Sequence, residues 1–336
     1  MLISERLFSD RVPCSVEGEK TWVIGLSGGA DSLCLTLLAH SYAVDRGIRV
    51  VACIVDHKLR PESSTEILPT IGILKDRRIE HEVVEWDHPA DIGGSIELKA
   101  RSARYDLLYR LCKSIGGGAL LTAHHAMDQW ETFFMRLSRG SSIKGLTGIK
   151  DVSDFKDVKL FRPLLDFSSW DVKQTLRDRF GISSYVDDPS NYDSKFERVR
   201  WRRAYKIFSE RYRLSYDSIG KSIRRLQEAD DCLEQIACKA FADVFDGELI
   251  SIGKFRELHC ELRMRVLDMM IRALSPKSRR IISYSLLKRT VNDMCQDGFV
   301  ATNMSGLVLR KKGGERDCIE ISVENRPVVD NDQSRW

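Results

Sequence analysis

No stretch of about 18 consecutive apolar residues occurs in the 336-residue sequence, and no basic segment leads into an apolar one at its amino terminus. A membrane-spanning helix and a secretion signal are therefore not expected, and the cytoplasm is. The nine cysteines are odd in number and contain no CxxC pair. That usage excludes a disulfide framework and reads as scattered reduced thiols. Charge of one sign is not in excess: 53 Lys and Arg against 49 Asp and Glu leave a net +4. Any affinity for nucleic acid must then come from local patches rather than a global field. Internal repeats and low-complexity tracts are absent, and composition is that of an ordinary globular chain long enough for about two domains.

What the sequence does have is a compact junction at 22–32, WVIGLSGGADS. Residues 21–26 are β-formers, enough for one buried parallel strand, and the run stops at Ser27, Gly28 and Gly29. Beyond Asp31, leucines at Leu33, Leu35, Leu37 and Leu38 suit a helix packed on a sheet. Strand, small-residue loop and helix start together form an anion site, because glycines let backbone N–H groups approach and the helix dipole favours negative charge. Ser27 and Ser32 add hydroxyl donors, and Asp31 can hold the Mg²⁺ that accompanies a triphosphate. No lysine follows the glycines, so this is not a Walker A loop, nor is it GxGxxG. An ordinary glycine-rich strand-to-helix turn is the bland alternative.

A second strand is expected at 50–55, VVACIV, running into Asp56, His57, Lys58, Leu59 and Arg60. Polar groups at the carboxyl end of a strand mark the ligand side of an open α/β sheet. A strand at 81–86, a helix at 95–112 and a strand at 119–123 follow. The last runs straight into His124, His125, Asp128 and Glu131. Asp128 and Glu131 lie three apart on an expected helix, so both carboxylates point the same way and can seat an ammonium group. A zinc pair of His124 and Asp128 would need a third ligand or an HExxH pattern, and the sequence has neither. A solvated helix face stays open as the alternative.

A helix is expected from Ser168 or Ser169 to Phe180, then a turn-rich stretch at 187–191. The segment 195–206 is basic: Lys195, Arg198, Arg200, Arg202, Arg203 and Lys206 against Glu197 give a net +5 over 12 residues, with Phe196, Trp201 and Tyr205 interleaved. Basic groups with aromatics suit phosphates and stacked bases, although an amphipathic helix with a charged outer face would read the same. From about 213 helical patterns take over, at 218–245 and 255–274. Lys277, Arg279, Arg280, Lys288 and Arg289 have no acid among them, a pattern that binds backbone phosphates without reading sequence, or simply a solvated face. Short strands at 306–309 and 318–323 around Gly313 and Gly314 end the fold, and the last dozen residues are expected to be loose. The expected architecture is α/β: a Rossmann-like parallel sheet in a catalytic domain at 1–212, then a smaller, mainly helical domain at 213–336 with a short β ending.

The SGGADS of residues 27–32 resembles the SGGxDS signature of the N-type ATP pyrophosphatases, PP-loop enzymes that split ATP between its α and β phosphates. VDHKLR at 55–60 resembles VDHGLR, ARSARY at 100–105 contains AxxARY, and TAHHAMDQWET at 122–132 resembles TAHHxDDQxET. With RPLL at 162–165 and DPSNYDSKFERVR at 188–200, these stretches are similar in order and spacing to the tRNA(Ile)-lysidine synthetases over roughly 20–205. The helical remainder resembles that family's tRNA-binding domain only loosely.

The resemblance implies a ligase that uses ATP to adenylate the C2 oxygen of the wobble cytidine in the CAU anticodon of an isoleucine tRNA. Free L-lysine then joins C2 through its ε-amine and AMP departs, giving lysidine, so that the tRNA reads AUA as isoleucine. It implies that Leu26, Ser27, Gly28, Gly29, Ala30, Asp31, Ser32, Val55 and His57 bind ATP, with Asp31 on Mg²⁺. It implies that Asp128 and Glu131, with Arg104, seat lysine, that His124, Arg198 and Arg202 meet the tRNA, and that the RNA-binding domain includes Arg279 and Arg280. Asp31, Asp128 and Glu131 form the implied catalytic set. Spacing gives no oligomeric state, whereas the family suggests a homodimer.

Three residues depart from the pattern: Met127 replaces a usual Asp, Val199 a usual Asn and Lys58 a usual Gly. Rival readings are a tRNA thiolase, which would need paired cysteines; an amidotransferase-type synthetase of a small metabolite, which leaves 195–206 unexplained; and an inactive RNA-binding protein keeping the phosphate loop. Retention of Asp31, Asp128 and Glu131 together argues against the last.

Overall fold

The structure, a computed structural model, describes residues 1–58, 67–88, 96–187, 189–274, 282–312 and 318–323. Leu59, Arg60, Lys277, Arg279, Arg280, Gly313, Gly314 and the final dozen residues of the sequence reading lie outside the described residues.

Short helices α1 (Glu5–Ser9) and α2 (Cys14–Glu17) lead into β1 (Thr21–Leu26), whose side chains are almost all buried. The chain continues through α3 (Ala30–Val44), β2 (Arg49–Asp56), α4 (Leu68–Asp76), β3 (Glu80–Glu85), α5 (Ile96–Ser114) and β4 (Ala119–Leu121). Then come α6 (Ala126–Leu137), α7 (Ile143–Leu146), the hairpin β5 (Val152–Phe155) and β6 (Val158–Phe161), α8 (Ser169–Phe180) and α9 (Glu197–Tyr212). The six-stranded sheet runs β3-β2-β1-β4-β6-β5, and every pair is parallel except β5 with β6. Ile24 of β1 is flanked by Ala52 and Leu121, so β1 and β2 are covered on both faces and read as continuous apolar runs. Strand order reverses between β1 and β4, the crevice where such sheets bind ligands.

Two apolar layers hold the sheet. Trp22, Ile24, Leu33, Leu37, Leu38 and Tyr42 pack with α3 and α8 on one face. Val23, Cys53, Leu108, Cys112 and Leu120 pack with α5 on the other. Ser168 is the N-cap of α8 and forms a capping box with Asp171, which fixes the start of that helix.

The remaining elements are α10 (Tyr216–Val244), β7 (Leu249–Ser251), α11 (Ile252–Glu257), α12 (Cys260–Leu274), α13 (Tyr284–Met294), β8 (Ala301–Met304), β9 (Leu307–Lys312) and β10 (Cys318–Val323). Two compact units result: 1–140 with 145–224, and 141–144 with 225–336. The division falls inside α10, about a dozen residues beyond the loop at Arg213, because α10 contributes Ile219 and Ile223 to the first core before it enters the second. The second unit is built on Phe255, Leu267, Met270, Leu307 and Leu309 around a four-stranded antiparallel sheet, β7-β10-β9-β8. One helix is expected over 255–274, but extended backbone at Leu258 breaks it into α11 and α12. Among the described residues no helix is long and apolar enough to cross a membrane.

Candidate active site

The phosphate loop is built from its own hydrogen bonds. Gly28 adopts φ +81°, and Gly29 is the N-cap of α3. The Ser27 N–H donates to Ser32 Oγ at 3.1 Å, and that hydroxyl donates to the Gly29 carbonyl at 3.1 Å. Ser27 Oγ and Ser32 Oγ lie 3.1 Å apart, within hydrogen-bond distance, so both hydroxyls brace the loop. Val186 closes the loop from outside, donating its N–H to the Gly28 carbonyl at 3.1 Å. With Ala30 and Asp31 in the first turn of a fifteen-residue helix, the loop's amides sit at the positive end of the α3 dipole.

Asp31 reaches across the crevice between β1 and β4. Its Oδ2 lies 3.5 Å from Nε2 of His125, and Nδ1 of the same ring lies 3.4 Å from Asp128 Oδ2. His125 is the N-cap of α6 and is locked there: its backbone N–H donates to Asp128 Oδ2 at 2.9 Å, and Nδ1 is 3.2 Å from the Met127 N–H. Burial pulls the imidazole down, but the Asp128 charge and the hydrogen bond and charge of Asp31 outweigh it, and its pKa is raised to about 9. Nδ1 therefore serves the Asp128 carboxylate while the ring is charged, and the Met127 amide when it is neutral. Burial pushes Asp128 up, yet the His125 charge holds its carboxyl below the ordinary range.

Glu131 follows one turn later on α6 and is 1% exposed. Its Oε1 takes a hydrogen bond from Arg202 Nε of α9 at 2.8 Å, and Nη2 of the same guanidinium makes an ion-pair contact with that oxygen, also at 2.8 Å. Its Oε2 is buried with no hydrogen-bond partner among the described residues, and so is Asp31 Oδ1. Burial and the Asp128 charge push the Glu131 carboxyl up, and Arg202 and Arg198 pull it partly back. His124 faces Thr122 Oγ1 at 3.0 Å and Arg101 at 3.5 Å. Burial lowers it to about 4, against the Asp128 charge and with the Arg162, Arg101 and Arg198 charges helping, so it is neutral at pH 7.

At the end of β2, His57 Nε2 lies 3.4 Å from Arg104 of α5, and its ring meets Trp86 edge-on at 5.7 Å. Burial first, then the Arg104 charge, lowers His57 to about 4. Leu26 ends β1 opposite Ile54, which brings Val55 and the loop to the same rim of the sheet. Lys58 has φ +47°, the left-handed conformation for which a glycine is the natural choice, and its Nζ reaches Glu85 at 2.6 Å.

The basic segment is an amphipathic helix. Trp201 packs against Phe134, and Tyr205 stacks on Tyr216 at 3.9 Å, so these rings belong to the core between α6, α9 and α10 and are not a platform for bases. Arg198, Arg200, Arg203 and Lys206 are the exposed face. Met127 is explained by the same cluster: it packs beside Trp130, and Tyr216 Oη donates to its sulfur at 3.5 Å, an environment in which a carboxylate would be out of place. Val199 is likewise buried. Cys34, Cys53 and Cys112 are core thiols, pushed up mainly by burial to about 12, 12 and 11.

Two features escaped the sequence reading. His125 links Asp31 to Asp128; the signal for it was a histidine directly before a helix start, in the N-cap position. The pairing of Glu131 with Arg202, 71 residues apart, had no local signal.

The chain matches the PP-loop domain family over residues 4–207. It is 31% identical over 346 residues to the tRNA(Ile)-lysidine synthase of Wolbachia pipientis wMel, an alignment covering 99% of this chain and 79% of that protein. It is also 31% identical over 319 residues to the tRNA(Ile)-lysidine synthase of Wolbachia sp. subsp. Brugia malayi (strain TRS), covering 92% of this chain and 72% of that one. Among solved structures, the U34-tRNA thiolase NcsA from Methanococcus maripaludis superposes with a TM-score of 0.57 at 19% identity, covering 67% of this chain and 77% of that one, a likeness of fold alone. With its phosphate loop at the switch point of a 3-2-1-4 sheet and carboxylates gathered at the end of β4, the chain belongs to the PP-loop proteins and, within them, to the tRNA(Ile)-lysidine synthase family.

Proposed function

We propose that this chain is an ATP-dependent carbon–nitrogen ligase of the cytoplasm that converts the wobble cytidine of a CAU isoleucine tRNA to lysidine. The observation that carries the proposal is that Asp31 of the phosphate-loop helix is linked through His125 to Asp128, with the buried Glu131 one turn further along the same helix as Asp128, so that an anion site and a cation site share one crevice. Such a pairing suits two successive steps on one base. First the cytosine C2 oxygen attacks the α-phosphorus of ATP and pyrophosphate leaves. Then the neutral lysine ε-amine attacks C2 and AMP leaves with the former C2 oxygen.

In the first step the backbone amides of Gly28 and Gly29, the α3 terminus and Ser27 hold the departing pyrophosphate, and Ser32 keeps the loop in shape. Asp31 suits Mg²⁺, since its Oδ1 is buried with no hydrogen-bond partner among the described residues. Magnesium characteristically takes one or two carboxylates and completes its shell from phosphates and water. Bound there, it would neutralise charge on the triphosphate. In the second step Asp128 and the free Oε2 of Glu131 hold the lysine amine, Arg104 faces its carboxylate, and His124 and Arg198 lie against the target nucleotide. His125 keeps Asp31 and Asp128 in register.

Incubation of the purified protein with [α-³²P]ATP, Mg²⁺, lysine and unmodified CAU isoleucine tRNA tests this, scoring AMP release and lysine uptake by the tRNA. We expect Asp31→Ala to lower cytidine adenylation by about 100-fold or more. Glu131→Ala should leave adenylation largely intact and block lysine transfer. Loss of adenylation in Glu131→Ala as complete as in Asp31→Ala would overturn the division of roles. AMP release without lysine uptake by the parent would move the chain to another nucleophile.

A further inference from the structure

Two assignments meet on one ion pair. Arg202, which the family resemblance sets against RNA, has both Nε and Nη2 on Glu131 Oε1, and Glu131 is the carboxylate proposed to receive lysine. The α9 backbone beneath this arginine is pinned, because the buried Trp130 indole donates to the Trp201 carbonyl at 3.0 Å. The arginine side chain is open to solvent on its outer side: it is 36% exposed, while Glu131 behind it is 1% exposed. A guanidinium can exchange a carboxylate for a phosphate, and here it engages only one of the two carboxylate oxygens. Glu131, once released, is left buried with neither oxygen satisfied, and a second cation must replace the first.

We infer that Arg202 is a positioning residue that guards the lysine seat, holding Glu131 until an RNA phosphate draws the guanidinium away, so that lysine binds productively only after the tRNA is engaged. The inference rests on the lysine role proposed for Glu131. It supplies an order to the two substrates, and a reason for one. An amine seated beside ATP before the cytidine arrives has only the α-phosphorus to attack, which would consume ATP without modifying RNA. By linkage the exchange works both ways: whatever factor RNA adds to lysine affinity, lysine adds to RNA affinity.

The test is equilibrium dialysis of radiolabelled L-lysine against the full chain, with and without a synthetic anticodon stem-loop carrying a CAU loop. For the parent, RNA should tighten lysine binding by about tenfold or more. Arg202→Gln should bind lysine without RNA about tenfold more tightly than the parent, and RNA should add nothing further. Arg202→Lys, which keeps the charge but not the fork, should fall between them. A purely structural arginine would give the opposite sign, with lysine affinity falling in Arg202→Gln. That result, or a parent whose lysine affinity ignores RNA, overturns the guard. If Arg202→Gln does not fold, the parent and Arg202→Lys measurements decide alone. Glu131→Gln separates this inference from the one beneath it: undiminished lysine binding there removes Glu131 from the seat, whereas lost binding alongside an RNA-insensitive parent removes only the guard.

Discussion

Gly28 shows how narrowly the phosphate loop is specified. Its φ of +81° is one that a side chain adopts only with strain, and a Cβ there would meet Thr70 Oγ1 at 2.9 Å and Val186 Cγ2 at 3.0 Å. Thr70 belongs to α4 and Val186 to the segment that hydrogen-bonds Gly28 itself, so neither neighbour yields without reopening the loop. Gly28→Ala should therefore cost about 1–2 kcal/mol of stability and weaken ATP binding together, measured by thermal melting and nucleotide titration. A variant of parental stability that lost only ATP affinity would show that the loop opens freely. At this scale the sequence was legible where chemistry is local. SGGADS announces a turn, a helix start and a carboxylate within six residues. It was not legible for Glu131 and Arg202, whose meeting depends on how α6 packs on α9. Nor was it legible that the Ser32 hydroxyl bonds back to the Gly29 carbonyl within the loop.

Among the elements, α10 and α12 are joined by a buried charge cluster. Arg265 of α12 is 5% exposed and bonds Asp230 at 2.7 Å, Glu234 at 3.0 Å and Glu261 at 3.0 Å. Asp230 is as buried as its partner. Breaking such a pair from one side strands a charge, so Arg265→Met should cost about 3–5 kcal/mol, read from the denaturant midpoint of the full chain. Adding Asp230→Asn should recover part of that loss, since the stranded charge goes with it. A double variant no more stable than the single one would show that packing, not charge, is what Arg265 supplies. The long elements were readable because β1 and β2 are buried on both faces and α3 carries its leucines toward them. The hairpin β5–β6 and strands β7 and β8 were not, at three or four residues each, since runs that short carry no periodicity. Sequence also left two readings of 195–206 open. Packing decides between them for the aromatics, because Tyr205 can stack on Tyr216 only once α10 returns beside α9.

For the whole molecule, a net charge of +4 on 336 residues draws no RNA by itself, so affinity has to be local. In the first unit the exposed face of α9 offers Arg203 and Lys206, both turned away from the aromatic core that Trp201 and Tyr205 build on the other side. In the second, the run from Lys277 to Arg289 includes Arg279 and Arg280, known here from sequence alone. Each basic group that meets a phosphate releases about one counterion, so its loss lowers both affinity and the dependence of affinity on salt. Arg203→Gln with Lys206→Gln should therefore reduce the slope of log affinity against log salt by about 2, while melting moves by no more than about 0.5 kcal/mol in equivalent stability, because exposed charges contribute little to folding. Charge reversal at Arg279 and Arg280 should lower the slope in the same assay, independently of the α9 pair if both patches meet the tRNA at once. Filter binding of CAU isoleucine tRNA across a salt series measures both. A slope unchanged by the α9 substitutions would make that face a solvated surface and leave RNA capture to the second unit, whereas a slope reduced by both sets in sum would mean that the two units hold one tRNA together.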